Sequence, residues 1–106
     1  MRCARLAGAL LITIAAAAPA GAKSAPRTVT VIVDKLAFGT IPAGLHVGDT
    51  VRWVNRDLFL HSATSSGHFD IGLPPGAQRN MRLTRAGQFA FICKYHPGMK
   101  GKLTVQ

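Results

Sequence analysis

The sequence predicts an all-β protein, an antiparallel sandwich or barrel of short strands. Apolar and polar residues alternate over several short runs, while no segment keeps a helical period over about ten residues or more. Turn signals separate the runs, and four prolines interrupt any longer element: Pro42, Pro74, Pro75 and Pro97. Alternating runs broken at regular spacing are typical of this fold class.

The candidate strands follow one another as Thr28–Asp34, Leu36–Ile41, Thr50–Asn55, His61–Ser65, Asn80–Thr84, Gln88–Cys93 and a last one through Leu103 and Val105. In the first, three valines alternate with other residues and predict one buried face. Leu36–Ile41 and His61–Ser65 are the weaker candidates. The third follows the turn signal Gly48-Asp49. In it Val51 and Trp53 share one face and Arg52 lies on the other, so Trp53 is predicted to lie in the core.

The two later candidates alternate in the same way. Met81 and Leu83 share one face of Asn80–Thr84, and the inward face of Gln88–Cys93 carries Phe89, Phe91 and Cys93. Cys93 is therefore expected at the end of a strand, facing the interior.

The first residues have the layout of a secretory signal peptide. Arg2 and Arg5 precede the uncharged apolar run Leu6–Ala18, and Ala20-Gly21-Ala22 offers small residues for cleavage. The run is shorter than the roughly 20 residues of a membrane span. We expect cleavage after Ala22, a periplasmic location, no membrane insertion and one domain over residues 23–106.

Cleavage would leave Cys93 as the single cysteine, so no internal disulfide is possible. Such a cysteine indicates an intermolecular bridge, a reactive thiol or a metal ligand. Two of the thirteen Lys and Arg residues, Arg2 and Arg5, would also be lost, which leaves eleven against four aspartates. A basic surface favours negative partners. Nucleic acid is not expected, because the basic residues are scattered along an exported chain.

The stretch "CKYHPGMKG" concentrates three soft ligand types, Cys93, His96 and Met99. Pro97 argues against a helix there, so these side chains are expected on a tight loop that leaves a strand. Thiolate, imidazole and thioether together favour copper, whereas thioether is not a usual zinc ligand. A haem attachment motif is absent. A blue-copper site would need one more histidine.

Three other histidines are candidates for that place. His46 is interpreted as an ordinary surface residue, and His68 lies in a loop rich in serine and glycine. His61 precedes a candidate strand, where a side chain is better fixed than on a loop. Position therefore favours His61 without excluding the others.

The chain resembles the cupredoxins, the type I blue-copper family, and is most similar to its amicyanin, pseudoazurin and plastocyanin branch. The matching pieces are "VGDTVRWVNRD", "HSATS", "FDIG" and "GQFAFICKYHPGMKGKLTV", in the family's order. The resemblance implies an antiparallel Greek-key β-sandwich of about seven or eight strands. It also implies one copper ion that cycles between Cu(II) and Cu(I), held by His61, Cys93, His96 and Met99.

The implied function is transfer of single electrons in the periplasm by a monomer that is not an enzyme. In the family the second histidine ligand reaches the surface inside an apolar patch, and His96 with Pro97 fits this. Leu58–Leu60 would widen the patch or belong to the core. A basic rim would steer an acidic redox partner, such as a c-type cytochrome or a periplasmic dehydrogenase. Ser62 matches the family position that ties the two ligand loops together, and Lys94 places a cation beside the thiolate unless it points outward.

Two alternatives use the same residues. A periplasmic copper carrier or buffer would need the same ligands without a redox role. An enzyme with Cys93 as nucleophile would need a histidine base and an orienting carboxylate or amide, and it gives Pro97 and Met99 no role.

Overall fold

The computed structural model describes residues 3–4, 7–16 and 25–106, and its strands all lie in the last of these ranges. Residues 7–16, within the predicted apolar run, are exposed and form neither strand nor helix. The predicted charged start and cleavage point, Arg2, Arg5 and Ala20–Ala22, lie outside the described residues. No helix in the described ranges has the length and apolar character needed to cross a membrane.

Eight strands form two four-stranded sheets. Their bounds are β1 Thr28–Asp34, β2 Ala37–Phe38, β3 Thr50–Asn55, β4 His61–Ser65, β5 Phe69–Leu73, β6 Gln78–Arg82, β7 Gly87–Ile92 and β8 Lys100–Val105. The first sheet has the order β2-β1-β3-β6 and the second β5-β4-β7-β8. The predicted all-β sandwich is confirmed.

One strand pair differs from the expected antiparallel pattern. β1 and β3 run parallel, from the pair Thr28 and Thr50 to the pair Val33 and Asn55. The connection over residues 39–49 returns the chain to the start of β1, where the Thr50 N–H donates to the Arg27 carbonyl at 2.9 Å. Parallel strands need such a crossover connection. The other strand pairs of the described chain are antiparallel.

The core lies between the two sheets and is built on aromatic residues, as the alternation predicts. Trp53 from β3 and Phe91 from β7 are fully buried, and their rings meet edge to face with centroids 5.2 Å apart. Phe38 packs edge-on against Phe91 at 4.8 Å. Burying one such side chain contributes about 1.5–3 kcal/mol. The valines of β1 complete this layer.

The second sheet brings two distant parts of the sequence to one end of the sandwich. β4 is antiparallel to β7, with Thr64 opposite Ile92, so the start of β4 and the end of β7 lie at the same end. β8 begins at that end too, because Lys100 pairs with Ile92. His61 is the first residue of β4, and Cys93 directly follows β7.

Candidate metal centre

The segment from Cys93 to Met99 is a tight loop closed on itself, as predicted. The Cys93 N–H donates to the Met99 carbonyl at 3.0 Å, and the Met99 N–H donates to the His96 carbonyl at 2.9 Å. Pro97 has no N–H and needs no acceptor, so it suits a loop without a regular hydrogen-bond ladder. The three candidate ligands are therefore held by a short loop with joined ends.

Three of the predicted site residues converge at this end of the sandwich. The Nδ1 atoms of His61 and His96 each lie 3.7 Å from the Cys93 sulfur. One ligand atom from each of the three residues lies within 4.8 Å of the others. His61 and Cys93 are fully buried, while His96 is half-buried and opens the group toward the surface.

The other candidate ligands are Met99, His46 and His68, and they lie in different environments. Met99 is 5% exposed and packs in the core, with its backbone hydrogen-bonded to Cys93. His46 and His68 are exposed, and the His68 ring stacks edge-on against Phe89 at 4.9 Å. The structure thus brings His61, and neither of these two histidines, to Cys93.

The surroundings of Cys93 favour its ionised form. Burial acts to raise the pKa of the thiol, but hydrogen bonding with His61, the Ser62 amide and His96 outweighs burial and lowers the pKa to about 6. The Ser62 N–H donates to the sulfur at 3.4 Å. At neutral pH the thiolate predominates, and the thiolate is the form that binds metals. A buried thiolate is also poorly accessible to a substrate, which disfavours a nucleophilic enzyme.

The donor set fits copper. The ligand atoms of one thiolate and two imidazoles lie within 4.8 Å of one another. Met99, which carries a thioether, ends the same loop. This is the ligand chemistry of blue-copper sites. Because these donor atoms are fixed by the sheet and the loop, a bound ion could change its coordination geometry only slightly.

Asp57, which the sequence reasoning did not single out, contacts the site. Its Oδ2 lies 2.8 Å from His61 Nε2. The Leu36 N–H is the main cause that lowers the pKa of this carboxyl to about 2, opposed by desolvation and aided by His61 and the Lys35 N–H. The spacing of four residues between Asp57 and His61 is no signal in a loop, because residues four apart face each other on a helix and not in irregular chain.

Ser62 ties the two ligand-bearing segments together, as the resemblance implies. Its Oγ accepts from the Lys94 N–H at 2.9 Å, and its hydroxyl meets Thr64 Oγ1 at 2.9 Å. Thr64 Oγ1 donates to Asp70, whose other oxygen accepts from Lys94 Nζ at 2.9 Å. The Lys94 ammonium therefore points outward to a carboxylate, and this network closes on itself.

We expect Ser62→Ala to lower the free energy of unfolding by about 1–2 kcal/mol, because the Lys94 N–H and the Thr64 hydroxyl lose their partner. Urea unfolding of the metal-free protein, followed by Trp53 fluorescence, measures this. Ser65→Ala removes a buried hydroxyl from the same strand, outside the network, and is the matched control. Equal losses in both variants would contradict the role given to Ser62.

Exposed apolar residues lie in the two segments that carry His61 and His96. Leu58 is 90% and Phe59 54% exposed, so the alternative that they belong to the core is wrong. Leu60 and Tyr95 are also exposed, and the Phe59 and His96 ring centroids lie 6.2 Å apart. We call these residues, Leu58, Phe59, Leu60, Tyr95 and Pro97, the apolar patch. An exposed apolar patch of this kind marks a docking surface.

The chain is similar in sequence to known amicyanins and plastocyanins. Amicyanin from Paracoccus denitrificans is 30% identical over 98 residues, which cover 82% of this chain and 72% of that protein. Amicyanin-alpha from Methylorubrum extorquens is 30% identical over 107 residues, or 88% of this chain and 85% of that one. Plastocyanin from Scenedesmus fuscus is 30% identical over 86 residues, or 67% and 88%. No protein-family model matches the chain.

Solved structures agree with these relatives. A reduced amicyanin variant superposes with a TM-score of 0.65 at 26% identity, covering 74% of this chain and 82% of that one. A second amicyanin variant, in its reduced Cu(I) form, gives a TM-score of 0.64 at 26% identity and covers 82% and 88%. The structural similarity therefore covers about three quarters of this chain or more in both comparisons.

Proposed function

Because the chain belongs to the cupredoxin family of type I blue-copper proteins, we propose that it shuttles single electrons between redox partners in the periplasm. The family's role is electron transfer, and copper is its cofactor. The proposed ligands of one copper ion are His61, Cys93, His96 and Met99. The convergence of the Cys93 sulfur with two histidine Nδ1 atoms at 3.7 Å carries the proposal.

The surrounding residues fix the proposed ligands in position, as electron transfer requires. When bound, copper supplies a one-electron couple between Cu(II) and Cu(I). Ser62 fixes the sulfur through its N–H and fixes the loop through its hydroxyl. The loop ends are joined by the Cys93–Met99 backbone bond. Ligands fixed in this way stay in place when the charge of the ion changes. The structural rearrangement that accompanies each electron transfer is therefore small.

The half-buried His96 offers the route to a partner. It lies between the buried sulfur and the apolar patch, so a partner docked on that patch comes within one imidazole ring of the thiolate. A partner docked there excludes water from the His96 edge, and the five residues of the apolar patch carry no charge.

The charge distribution supports an acidic partner, such as a c-type cytochrome or a periplasmic dehydrogenase. Two of the four aspartates pair with cations, Asp49 with Arg27 and Asp70 with Lys94. The other two, Asp34 and Asp57, accept backbone N–H groups. The negative charges are thus engaged within the protein. The eleven Lys and Arg residues that remain after the proposed cleavage outnumber the four aspartates by seven, and this excess of positive charge is available for long-range steering.

We expect the reduced protein to be oxidised fastest by anions at low salt. Its rate with hexacyanoferrate(III) should fall as ionic strength rises, because the Debye length shortens from about 30 Å at 0.01 M to 10 Å at 0.1 M. Stopped-flow absorption measures the rate. A cationic cobalt(III) complex is the control and should show the opposite salt dependence. The same dependence for both oxidants would contradict electrostatic steering.

Titration of the purified protein with Cu(II) tests the function. The expected result is an intense thiolate-to-copper absorption at one equivalent, with a narrow hyperfine splitting in electron paramagnetic resonance and reversible one-electron reduction. Weak absorption with ordinary splitting would overturn the type I site. A slow or irreversible couple, together with ready copper transfer to an acceptor, would replace the shuttle by the copper carrier.

The export proposal has its own test. Residues 1–22 are proposed to be removed after Ala22, which leaves the domain over residues 23–106. The placement of all described strands between residues 28 and 105 supports this boundary. Mass spectrometry of the periplasmic fraction should find Lys23 as the first residue, and an intact N-terminus there would contradict cleavage.

A further inference from the structure

Asp57 is held from several sides and presents one oxygen to His61. Its Oδ1 accepts from the Lys35 N–H at 2.8 Å, and its Oδ2 accepts from the Leu36 N–H at 2.8 Å. Its own N–H donates to Asn55 Oδ1 at 2.8 Å. Oδ2 also lies 2.8 Å from His61 Nε2, and the Asp57 side chain is only 11% exposed. The carboxylate is therefore a fixed acceptor.

The contact between Asp57 and His61 decides which nitrogen of His61 is available to a metal ion. An ionised carboxylate can only accept hydrogen bonds, so Nε2 must carry a proton. The other nitrogen, Nδ1, faces the Cys93 sulfur, and any proton that it shares with the thiolate is released when a metal ion takes the Nδ1 lone pair. Nδ1 is the atom that lies 3.7 Å from the Cys93 sulfur. The carboxylate thus keeps His61 in the form and orientation in which it can bind a metal.

The same carboxylate closes the turn between β1 and β2. Lys35 and Leu36 have left-handed φ values of 53° and 58°. Non-glycine residues adopt that region rarely and at a cost of order 1 kcal/mol or more each. Both of their N–H groups point to Asp57. The turn of the first sheet and the histidine of the second are joined through one side chain.

We propose that Asp57 is a positioning residue for the metal, whose carboxylate orients His61 and favours Cu(II) over Cu(I) by placing a negative charge one imidazole ring away. The inference depends on the proposed copper site. Carboxylates that hold a ligating histidine raise its basicity, and their loss typically weakens metal binding 10–100-fold. The more highly charged Cu(II) gains more from the carboxylate than Cu(I) does.

Asp57→Asn is the first test. An amide has one oxygen and one NH₂ group, so it cannot accept at both Oδ positions as the carboxylate does. We expect Cu(II) affinity to fall about 10–100-fold, measured by chelator competition, with Cu(I) affinity within about threefold of wild type. The reduction potential then rises by about 60–120 mV, since each tenfold difference equals about 59 mV for one electron.

Asp49→Asn is the matched control. Asp49 also accepts two backbone N–H groups, from Arg27 at 3.0 Å and His46 at 2.9 Å, and it is buried. It precedes β3 at the end opposite Asn55, about 20 Å along the strand from the site. Its loss removes the same charge and comparable hydrogen bonds. We expect an unchanged potential. Equal loss of affinity for both copper ions in Asp57→Asn, or a potential as in wild type, would overturn the inference.

Nuclear magnetic resonance of the metal-free protein separates this inference from the copper site itself. We expect a slowly exchanging proton on His61 Nε2 in wild type and its loss or rapid exchange in Asp57→Ala. If wild type forms no type I site yet keeps this proton, the proposed function fails and the positioning of His61 stands. If Nε2 carries no proton, the positioning role is wrong whatever copper does. Urea unfolding confirms that each variant is folded.

Discussion

Replacing Cys93 with serine should abolish the intense visible absorption of the copper-loaded protein and weaken Cu(II) binding more than about 100-fold, beyond the usual cost of losing a residue that only supports a ligand. The absorption depends on charge transfer from a thiolate. The hydroxyl of serine stays protonated in the environment that lowers the pKa of the Cys93 thiol to about 6. Visible absorption and chelator competition measure the two effects.

The controls for this variant separate the ligand from the fold. Cys93 is fully buried, so the metal-free variant must first show a wild-type urea midpoint. His68→Gln, which changes an exposed histidine outside the site, should keep the full absorption, whereas His61→Gln should lose most of it. A Cys93→Ser protein that still turns intensely blue with Cu(II) would contradict the proposed ligand set.

Gly101→Val should lower the free energy of unfolding by roughly 3 kcal/mol or more, at the upper end of the cost of overpacking a core. A Cβ atom at residue 101 would lie 2.5 Å from Cζ of Phe91 and 3.0 Å from Cε2. The ring cannot withdraw freely, because Phe91 is 1% exposed and packs against Trp53 and Phe38. Urea unfolding of the metal-free protein measures the loss.

A second glycine provides the comparison. Gly72 lies in β5, and a Cβ there would have no atom within 4 Å, so Gly72→Val should change stability by no more than about 0.5 kcal/mol. Phe91→Leu combined with Gly101→Val should cost less than the sum of the two single changes, by about 1 kcal/mol. Strict additivity would show that the Phe91 ring is not what excludes a side chain at residue 101.

Strands with strong alternation were predictable from local sequence. β1, β3 and β4 begin and end where the pattern placed them. Alternation is regular in β1, whereas β4, one of the weaker candidates, is buried at four of its five positions. β5 was not among the predicted strands. Its apolar residues also alternate, but Gly72 and the following Pro74-Pro75 weaken the local signal. Its register comes from pairing with β4, which a turn with Gly67 at φ 76° makes possible.

Strand ends were less predictable, because they depend on contacts from distant residues. The predicted strand Asn80–Thr84 is found at Gln78–Arg82, since the Leu83 N–H donates to the Asp49 carbonyl instead of to a neighbouring strand. The predicted strand through Cys93 ends at Ile92, since the Cys93 N–H closes the ligand loop. The predicted Leu36–Ile41 shortens to Ala37–Phe38 because Leu36 belongs to the turn.

The candidate ligands that are close together in sequence could be predicted from sequence, whereas the residues that reach the site from another part of the chain could not. Cys93, His96 and Met99 are near neighbours, so their chemistry alone indicated copper. His61 was favoured over two other histidines by position, and family resemblance was needed to choose it. Asp57 was missed because its partners, Leu36 and His61, meet only after the two sheets assemble.

The uneven spacing of the proposed ligands has a consequence for the denatured state. Three of them lie on one short loop, while His61 is 32 residues before Cys93. An unfolded chain keeps the three loop residues within reach of one ion, so copper can bind it as well. Binding to the unfolded chain reduces the stabilisation that a ligand gives. The rise in unfolding midpoint on adding copper therefore measures the β4–β7 contact that brings His61 to the loop, and not the full affinity of the folded site.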